Sequence, residues 1–458
     1  MPSTWSVFIS SGIVVFLAAT ASHESWSFVP YGEKIFAAAR VVLSAGYELL
    51  QERSPLEIVL YPLLAYFAVK LYQLLFSPLV RVKNVEDVGY VVESGRRKAE
   101  VANEVRKRRA RGDLPPVYPN GWFRVFDSWQ LKIGEKKHLT VLGEHVVAFR
   151  GESGTAYVVD AYCPHMGANL GIGGRVMGEC VECPFHGWVF RGDDGKCVDI
   201  PYAEKVPDFA KVKSWNTLER NGMIYIWYDA EGREPSWEPP VIEEVENGKW
   251  TFRGYSEHHI NAHIEEIPEN GGDVSHLHYL HGPIMASGVD LRYTQSWFWD
   301  LIGRHVWDAS WEQDPDEKHI GVLSLTHRMT LFGIPIAPVE MTVKAQQIGP
   351  GIVYLQFANW IGTSALLHHV TPVEPLLQRV THTIDSSPTV PTFLSKFYLH
   401  GEIVQFERDI MVWNNKRWLS KPMLVKEDQL IAKHRRWYSQ FYSENSPRFT
   451  HQRDSLDW

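Results

Sequence analysis

Four side chains able to ligate metal lie close together in the chain. Cys163 and His165 are separated by one proline, and after seventeen further residues come Cys183 and His186, in Cys183-Pro-Phe-His186. Two thiolates and two imidazoles at these offsets can hold a [2Fe–2S] cluster, with the cysteines on one iron, the histidines on the other, and a raised reduction potential. The surrounding residues suit such a clamp: Gly167, Gly171, Gly173, Gly174 and Gly187 permit tight turns, and Pro164 and Pro184 stiffen the two loops. A zinc site using the same four ligands is the main rival, although a Cys-x-His offset is unusual for a zinc finger. A third reading pairs Cys180 with Cys183 as a redox Cys-x-x-Cys, but no thioredoxin-like βαβ pattern surrounds them. Cys180 and Cys197 are read as bystanders. The chain has only these four cysteines, too clustered for a secreted disulfide scaffold.

A second constellation follows in Asn270-Gly-Gly-Asp273-Val-Ser-His276-Leu-His-Tyr-Leu-His281, which contains Asp-x₂-His-x₄-His. On a helix Asp273 and His276 share a face, whereas His281 would be rotated by about 140° from His276. The helix must therefore loosen before His281, and Gly282-Pro283 makes that break plausible. Two converging imidazoles plus a carboxylate, with three positions open, form the facial triad of non-haem Fe(II) enzymes that activate O₂. His278 is the substitute ligand, and His258, His259 and His263 are further neighbours. Asn270 fits the same stretch but could equally cap a helix.

The elements that must position these groups are legible in outline. Short β-like runs at Leu139 to Phe149, Thr155 to Ala161 and Met223 to Tyr228 indicate a small all-β domain. Beyond Pro235 a helical stretch near Glu265 to Leu280 precedes β-like runs at Tyr293 to Trp299, Gly321 to Leu331, Val339 to Ile348 and Ile352 to Trp360, then a helical tail from Leu394 to Trp418. The expected fold class is α+β: an all-β cluster domain, then a helix-grip-like catalytic domain of antiparallel sheet plus helix, behind one or more N-terminal transmembrane segments. The expected division is a membrane-anchoring region at 1–83, a basic linker at 84–117, the cluster domain at 118–230 and the catalytic domain at 231–458.

Membrane attachment rests on two apolar stretches. Val7 to Ala21 reads as a retained span rather than a signal sequence, because no basic residue precedes it, although Ala19-Thr20-Ala21 resembles a cleavage site. Leu56 to Val80 reads as a span or re-entrant hairpin, against an amphipathic or buried helix, with Lys70 snorkelling. Eight basic and two acidic residues between Arg96 and Arg111 would stay cytosolic. The formal net charge of −8 gives no reason to expect a nucleic-acid partner. No Gly-x-Gly-x-x-Gly fingerprint is present, so any nicotinamide must bind elsewhere. Trp297, Phe298, Trp299, Trp307 and Trp311 offer aromatic surface for an apolar pocket, or simply sheet core.

From roughly Tyr118 to Tyr228 the chain resembles the oxygenase type of Rieske domain. The electron-transfer type of the cytochrome bc complexes adds a disulfide between the cluster loops, where this chain has Ala168 and Phe185. Across most of its length the sequence is similar to the Neverland-type cholesterol 7-desaturases, on the apolar N-terminal segments, Gly112-Asp-Leu-Pro-Pro-Val-Tyr-Pro-Asn-Gly-Trp122, Cys163-Pro-His-Met-Gly-Ala-Asn-Leu-Gly171, Glu182-Cys-Pro-Phe-His-Gly-Trp188 and Asn270 to His281. The resemblance implies a Rieske [2Fe–2S] cluster on Cys163, His165, Cys183 and His186, and a mononuclear Fe(II) on His276, His281 and a carboxylate from a late helix. Gln405-Phe-Glu-Arg-Asp409-Ile-Met-Val-Trp413 resembles that helix, with Asp409 as ligand and Glu402 and Glu407 as rivals. It implies further that Asp273, with Asn270 beside it, bridges a histidine of the mononuclear site to a cluster histidine of the adjacent subunit of a homotrimer. The implied reaction consumes O₂ and NAD(P)H through a separate reductase and desaturates cholesterol to 7-dehydrocholesterol, towards steroid hormones, at the endoplasmic reticulum membrane with catalytic domains facing the cytosol. Sterol hydroxylation on the same ligands, and a membrane-bound Rieske electron carrier, are the alternatives.

Overall fold

The computed structural model describes residues 55–93, 95–109, 113–336 and 340–449. The first apolar run, Val7 to Ala21, lies outside them. By contacts the chain divides after Tyr72 into two units. Helix α1 (Pro55–Phe76) is roughly 33 Å long at 1.5 Å per residue, and its segment Val59–Phe76 is long and apolar enough to cross a membrane, with large side chains such as Leu64, Phe67 and Leu71 exposed. Two residues later comes β1 (Leu79–Lys83). The basic run forms α2 (Lys98–Arg109), which is more than a solvated face because Val101 and Ala102 are buried.

Residues 121–228 form three small sheets. The first has the order β11 (Thr217–Arg220), β12 (Met223–Tyr228), β2 (Gly121–Asp127). The second joins β10 (Ser214–Trp215), β5 (Ala156–Asp160), β4 (Glu144–Arg150) and β3 (Lys136–Val141). The apolar run expected at Leu139 to Phe149 is thus a hairpin, turned by Leu142 and Gly143 at φ 55° and 77°. The third sheet, β6 (Arg175–Met177), β7 (Cys180–Glu182), β8 (Val189–Arg191) and β9 (Cys197–Asp199), carries one cluster loop before it and the other between β7 and β8.

The second region is built on a nine-stranded sheet, β1-β13-β20-β19-β18-β17-β15-β14, with β16 (Ile334–Pro335) paired to β15. Its strands are β13 (Thr251–Ile260), β14 (Gly303–Gln313), β15 (Ile320–Leu331), β17 (Met341–Ile348), β18 (Ile352–Ala358), β19 (Thr363–Glu374) and β20 (Leu377–Ser386). Neighbours are antiparallel except β1, which joins β13 in parallel. Ahead of β14 lie α3 (Val274–Tyr279) and α4 (Trp297–Ile302), and after β20 come α5 (Thr392–Asn415) and α6 (Gln429–Tyr438). Leu399 and Ile403 of α5 pack with Leu325, Val343, Leu366 and Ile384 of the sheet.

Two expectations need correction. Tyr293 to Trp299 is not a strand: short helices occupy Leu291–Thr294 and Trp297–Ile302, because Asp290 and Ser296 accept the backbone N–H groups of Arg292 and Trp299 as N-caps, and this capping outweighs aromatic β-propensity. Glu265 to Leu280 is not one helix but 3-10 turns at Ile264–Glu266 and Pro268–Gly271 followed by α3, with Pro268 starting the second turn.

Candidate active site

The two cluster loops are built alike. In one, Cys163 N–H donates to Ala168 O at 2.9 Å and Gly167 N–H to Cys163 O at 2.9 Å; in the other, Cys183 N–H donates to Trp188 O at 2.7 Å and Gly187 N–H to Cys183 O at 3.1 Å. Gly167 and Gly187 both adopt φ 73°, a left-handed conformation that favours glycine. Each loop turns its cysteine inward, both Cys163 and Cys183 being 2% exposed, while His165 is exposed and His186 half-buried. The imidazoles meet with ring centroids 4.7 Å apart, and His165 stacks on Trp188 at 4.8 Å. Burial pushes the Cys163 thiol up to about 11, with neighbouring Cys183 adding to the shift. His186 Nδ1 is buried without a hydrogen-bond partner, as expected of a nitrogen that a metal satisfies. Among the described residues, these four are not a group whose donors lie within 4.8 Å of one another. Cys180 and Cys197 are unpaired thiols, and Cys197 Sγ donates to Asp199 O at 3.4 Å.

The second constellation closes on one point. Donor atoms of His276, His281 and Asp409 all lie within 4.8 Å of one another, with His281 Nε2 3.2 Å from Asp409 Oδ1. The α3 helix stops at Tyr279, which frees His281 to turn back, and the two rings sit 4.9 Å apart. His278 is exposed and takes no part. The rival carboxylates pair with other histidines: Glu407 Oε1 lies 3.3 Å from His258 Nε2, and Glu402 Oε1 lies 3.6 Å from His368 Nε2. Asp273 is the N-cap of α3, its Oδ1 accepting His276 N–H at 3.3 Å, while its backbone carbonyl accepts His276 Nδ1–H and leaves Nε2 for metal. Asn270 is therefore not the cap of α3; it lines the cavity beside the triad. Burial would lower the His281 imidazole, but Asp409 and a hydrogen bond to Gln405 raise it; in His276 burial prevails and its basicity falls. A half-buried and a buried imidazole with a carboxylate, open on one side, suit non-haem iron.

Residues with no sequence signal hold this triad. His281 Nδ1 donates to Gln405 Oε1 at 2.8 Å. Arg408, wholly buried, donates to the carbonyls of Leu280, Pro283, Ile284 and Gly288 at 3.3, 2.8, 3.0 and 3.0 Å, and to Gln405 Oε1 at 3.1 Å. One guanidinium thus fastens the loop carrying His281 to the helix carrying Asp409.

The triad opens on a cavity of about 310 Å³ between α5 and the sheet, walled by Trp307, Leu325, Val343, Phe357, Leu366 and Phe397 among others, a size suited to small-molecule sites. Of the five aromatics considered for the pocket only Trp307 lines it: Trp297 is 77% and Phe298 48% exposed, Trp299 lies outside the wall, and Trp311 packs with Trp437 and His434.

Comparison with known proteins decides the lineage. The Rieske [2Fe-2S] domain model matches residues 121–210, and the 3-ketosteroid 9alpha-hydroxylase C-terminal domain model matches 226–442. A cholesterol 7-desaturase of Xenopus laevis is 52% identical over 408 residues, covering 89% of each chain. The chain belongs to the cholesterol 7-desaturase family. The family's Caenorhabditis elegans member is 43% identical over 86% of this chain and 93% of its own. A 3-ketosteroid-9-alpha-monooxygenase oxygenase component of Rhodococcus rhodochrous is 30% identical over 74% of this chain and 85% of its own. Crystalline dicamba monooxygenase, at 16% identity, matches 71% of this chain and 98% of its own with a TM-score of 0.51, a likeness of fold. As a cholesterol 7-desaturase family member the chain is a Rieske-type oxygenase, an enzyme with a [2Fe–2S] cluster and a mononuclear iron, using O₂ and electrons from NAD(P)H through a separate reductase.

Proposed function

We propose that this enzyme removes one hydrogen each from C7 and C8 of cholesterol, leaving the 7,8 double bond of 7-dehydrocholesterol, a step towards steroid hormones. The observation that carries the reading is the convergence of His276, His281 and Asp409 on the wall of a cavity lined mainly by apolar side chains. In this reading Cys163, Cys183, His165 and His186 hold the cluster, and His276, His281 and Asp409 hold the iron. The bound iron supplies O₂ reduction: one sterol, one O₂, one NAD(P)H and one proton give one desaturated sterol, two waters and NAD(P)⁺. The chain's own residues orient and exclude. Asp273 O and Gln405 fix the two imidazoles, Arg408 locks the loop between them, and Trp307 and Phe357 keep bulk water from the substrate face.

The reading includes a homotrimer in which the Asp273 carboxylate, with Asn270 beside it, lies between one subunit's triad and the next subunit's cluster histidine. It includes the domain limits 118–230 and 231–458, an anchor within 1–83 that contains α1, and a basic linker at 84–117. It also places the enzyme on the endoplasmic reticulum membrane with its catalytic domains in the cytosol, the basic run Arg96 to Arg111 being retained there. A rigid apolar substrate dissolved in a bilayer favours such an anchored enzyme.

The match of residues 226–442 to a hydroxylase domain favours sterol hydroxylation as the second reading. Expression of the protein and of His276→Ala with a suitable reductase, cholesterol feeding and mass spectrometry separate the two. Loss of two hydrogens at C7 and C8, abolished by the substitution, is the expected result; gain of one oxygen makes the enzyme a hydroxylase, and no product with electron delivery intact rejects cholesterol.

A further inference from the structure

The cavity meets a second polar group, one member of which, Glu402, lies on the same helix as Asp409. His368 of β19 and His382 of β20 stand directly opposite each other in the sheet register, with ring centroids 4.3 Å apart. Ser256 of β13 lies opposite His382 in turn, and its hydroxyl meets His382 Nδ1 at 3.0 Å. That contact fixes the ring and leaves Nε2 of His382, like Nε2 of His368, buried with no hydrogen-bond partner. Glu402 completes the group, its Oε1 3.6 Å from His368 Nε2, and donor atoms of the three residues lie within 4.8 Å of one another. Both Glu402 and His368 face the cavity that the iron triad faces.

We propose that Glu402 and His368, backed by His382, form the seat for the C3 hydroxyl of the sterol and so set which carbon is presented to the iron ligands, an inference that rests on the sterol reading above. A hydroxyl both donates and accepts, so it can meet a carboxyl oxygen and an imidazole nitrogen together. Burial lifts the Glu402 carboxyl to about 7, so near neutrality a large fraction of it is protonated and able to donate to a hydroxyl. Spacing supports the assignment. Glu402 and Asp409 are seven residues apart on α5, which puts them on one face about 10 Å apart along the axis. A sterol whose C3 oxygen is roughly 6 Å from C7, with C7 some ~4 Å from the metal, spans that length. The other polar pair on the wall, His305 and His327, is already joined at 2.8 Å.

The test compares cholesterol with its 3-deoxy analogue, cholest-5-ene, presented in the same vesicles to the full chain and to Glu402→Leu, His368→Leu, Glu402→Gln and His305→Ala. Cluster absorbance and iron content report folding independently. The expected wild-type preference for cholesterol in kcat/KM is about 100-fold, collapsing below about 5-fold in the two leucine variants through loss on cholesterol alone, and largely restored in Glu402→Gln, whose amide still bonds a hydroxyl. An unchanged preference in both leucine variants, or its collapse only in His305→Ala, overturns the assignment. So does a fourth metal ion per chain that His368→Leu removes, since the group would then be a cation site. If the wild type, fully loaded and reduced, converts neither sterol, the sterol reading itself fails.

Discussion

His281 is gripped on both sides of its ring: Nδ1 donates to Gln405 Oε1 at 2.8 Å, and Nε2 points at Asp409 Oδ1 3.2 Å away. Gln405 and Asp409 are four residues apart on α5 and so share its inner face. Loss of the outer partner frees the ring and its tautomer. Gln405→Leu is expected to weaken iron binding about 10- to 100-fold, measured by iron titration of the apo-enzyme, with the cluster's visible spectrum unchanged.

Arg408 makes its hydrogen bonds mainly to backbone carbonyls, those of Leu280, Pro283 and Gly288 and that of Ile284, which the Ser287 hydroxyl also reaches. Arg408→Met keeps the buried bulk but strands these acceptors, and is expected to cost about 3 kcal/mol of stability. Chemical denaturation reads the loss, and the iron triad should loosen before the cluster domain unfolds.

Asp273 separates capping from electron transfer. Asparagine caps helices nearly as well as aspartate, so Asp273→Asn should keep folding and iron content while the proposed bridge between subunits loses its charge. Turnover is expected to fall at least ~10-fold, with stopped-flow oxidation of the cluster slowed equally. Asp273→Ala should lose about 1 kcal/mol of stability besides. Wild-type turnover in the asparagine variant would reduce Asp273 to a cap.

His434 gives a pH prediction away from both metal sites. It is wholly buried among Trp311, Trp437 and Tyr438 with neither ring nitrogen partnered, and burial, aided by Arg435, lowers its pKa to about 3. The unfolded imidazole titrates near ~6.5, so its contribution is intact above that pH and is lost as pH falls towards 3, at up to about 1.4 kcal/mol per unit. His434→Leu should flatten the acid limb of a Tm-versus-pH curve between pH 6.5 and 3 and leave the curve above pH 7 unchanged in slope.

The parts of the site legible in the sequence are those whose partners are near neighbours along the chain. The geometry of Cys163 with His165, and of Cys183 with His186, is set within single turns, and the release of His281 from α3 follows from a ring rotated away from His276. Gln405, Arg408, His368 and His382 left no such trace, because each acts only through a partner brought to it by the sheet. The same limit explains the strands that periodicity passed over. Along β20, Val380 to Ser386 are buried on both faces, so polar Thr381, His382 and Thr383 break any alternation. The aromatic run Trp297 to Trp299 failed in the other direction: its β-propensity was real, but Ser296 capped a helix.

The parallel pairing of β1 with β13, from Leu79 opposite Gly254 to Lys83 opposite His258, bears on how the enzyme could be shortened. β1 covers an edge of the catalytic sheet that would otherwise present unpaired amides and carbonyls. A truncation ending at Phe76 discards the apolar helix yet keeps that cover. One ending at Lys83 uncovers β13 and invites a second molecule to add its own strand there, so the sensible boundary for a shortened enzyme lies within the two residues Ser77 and Pro78.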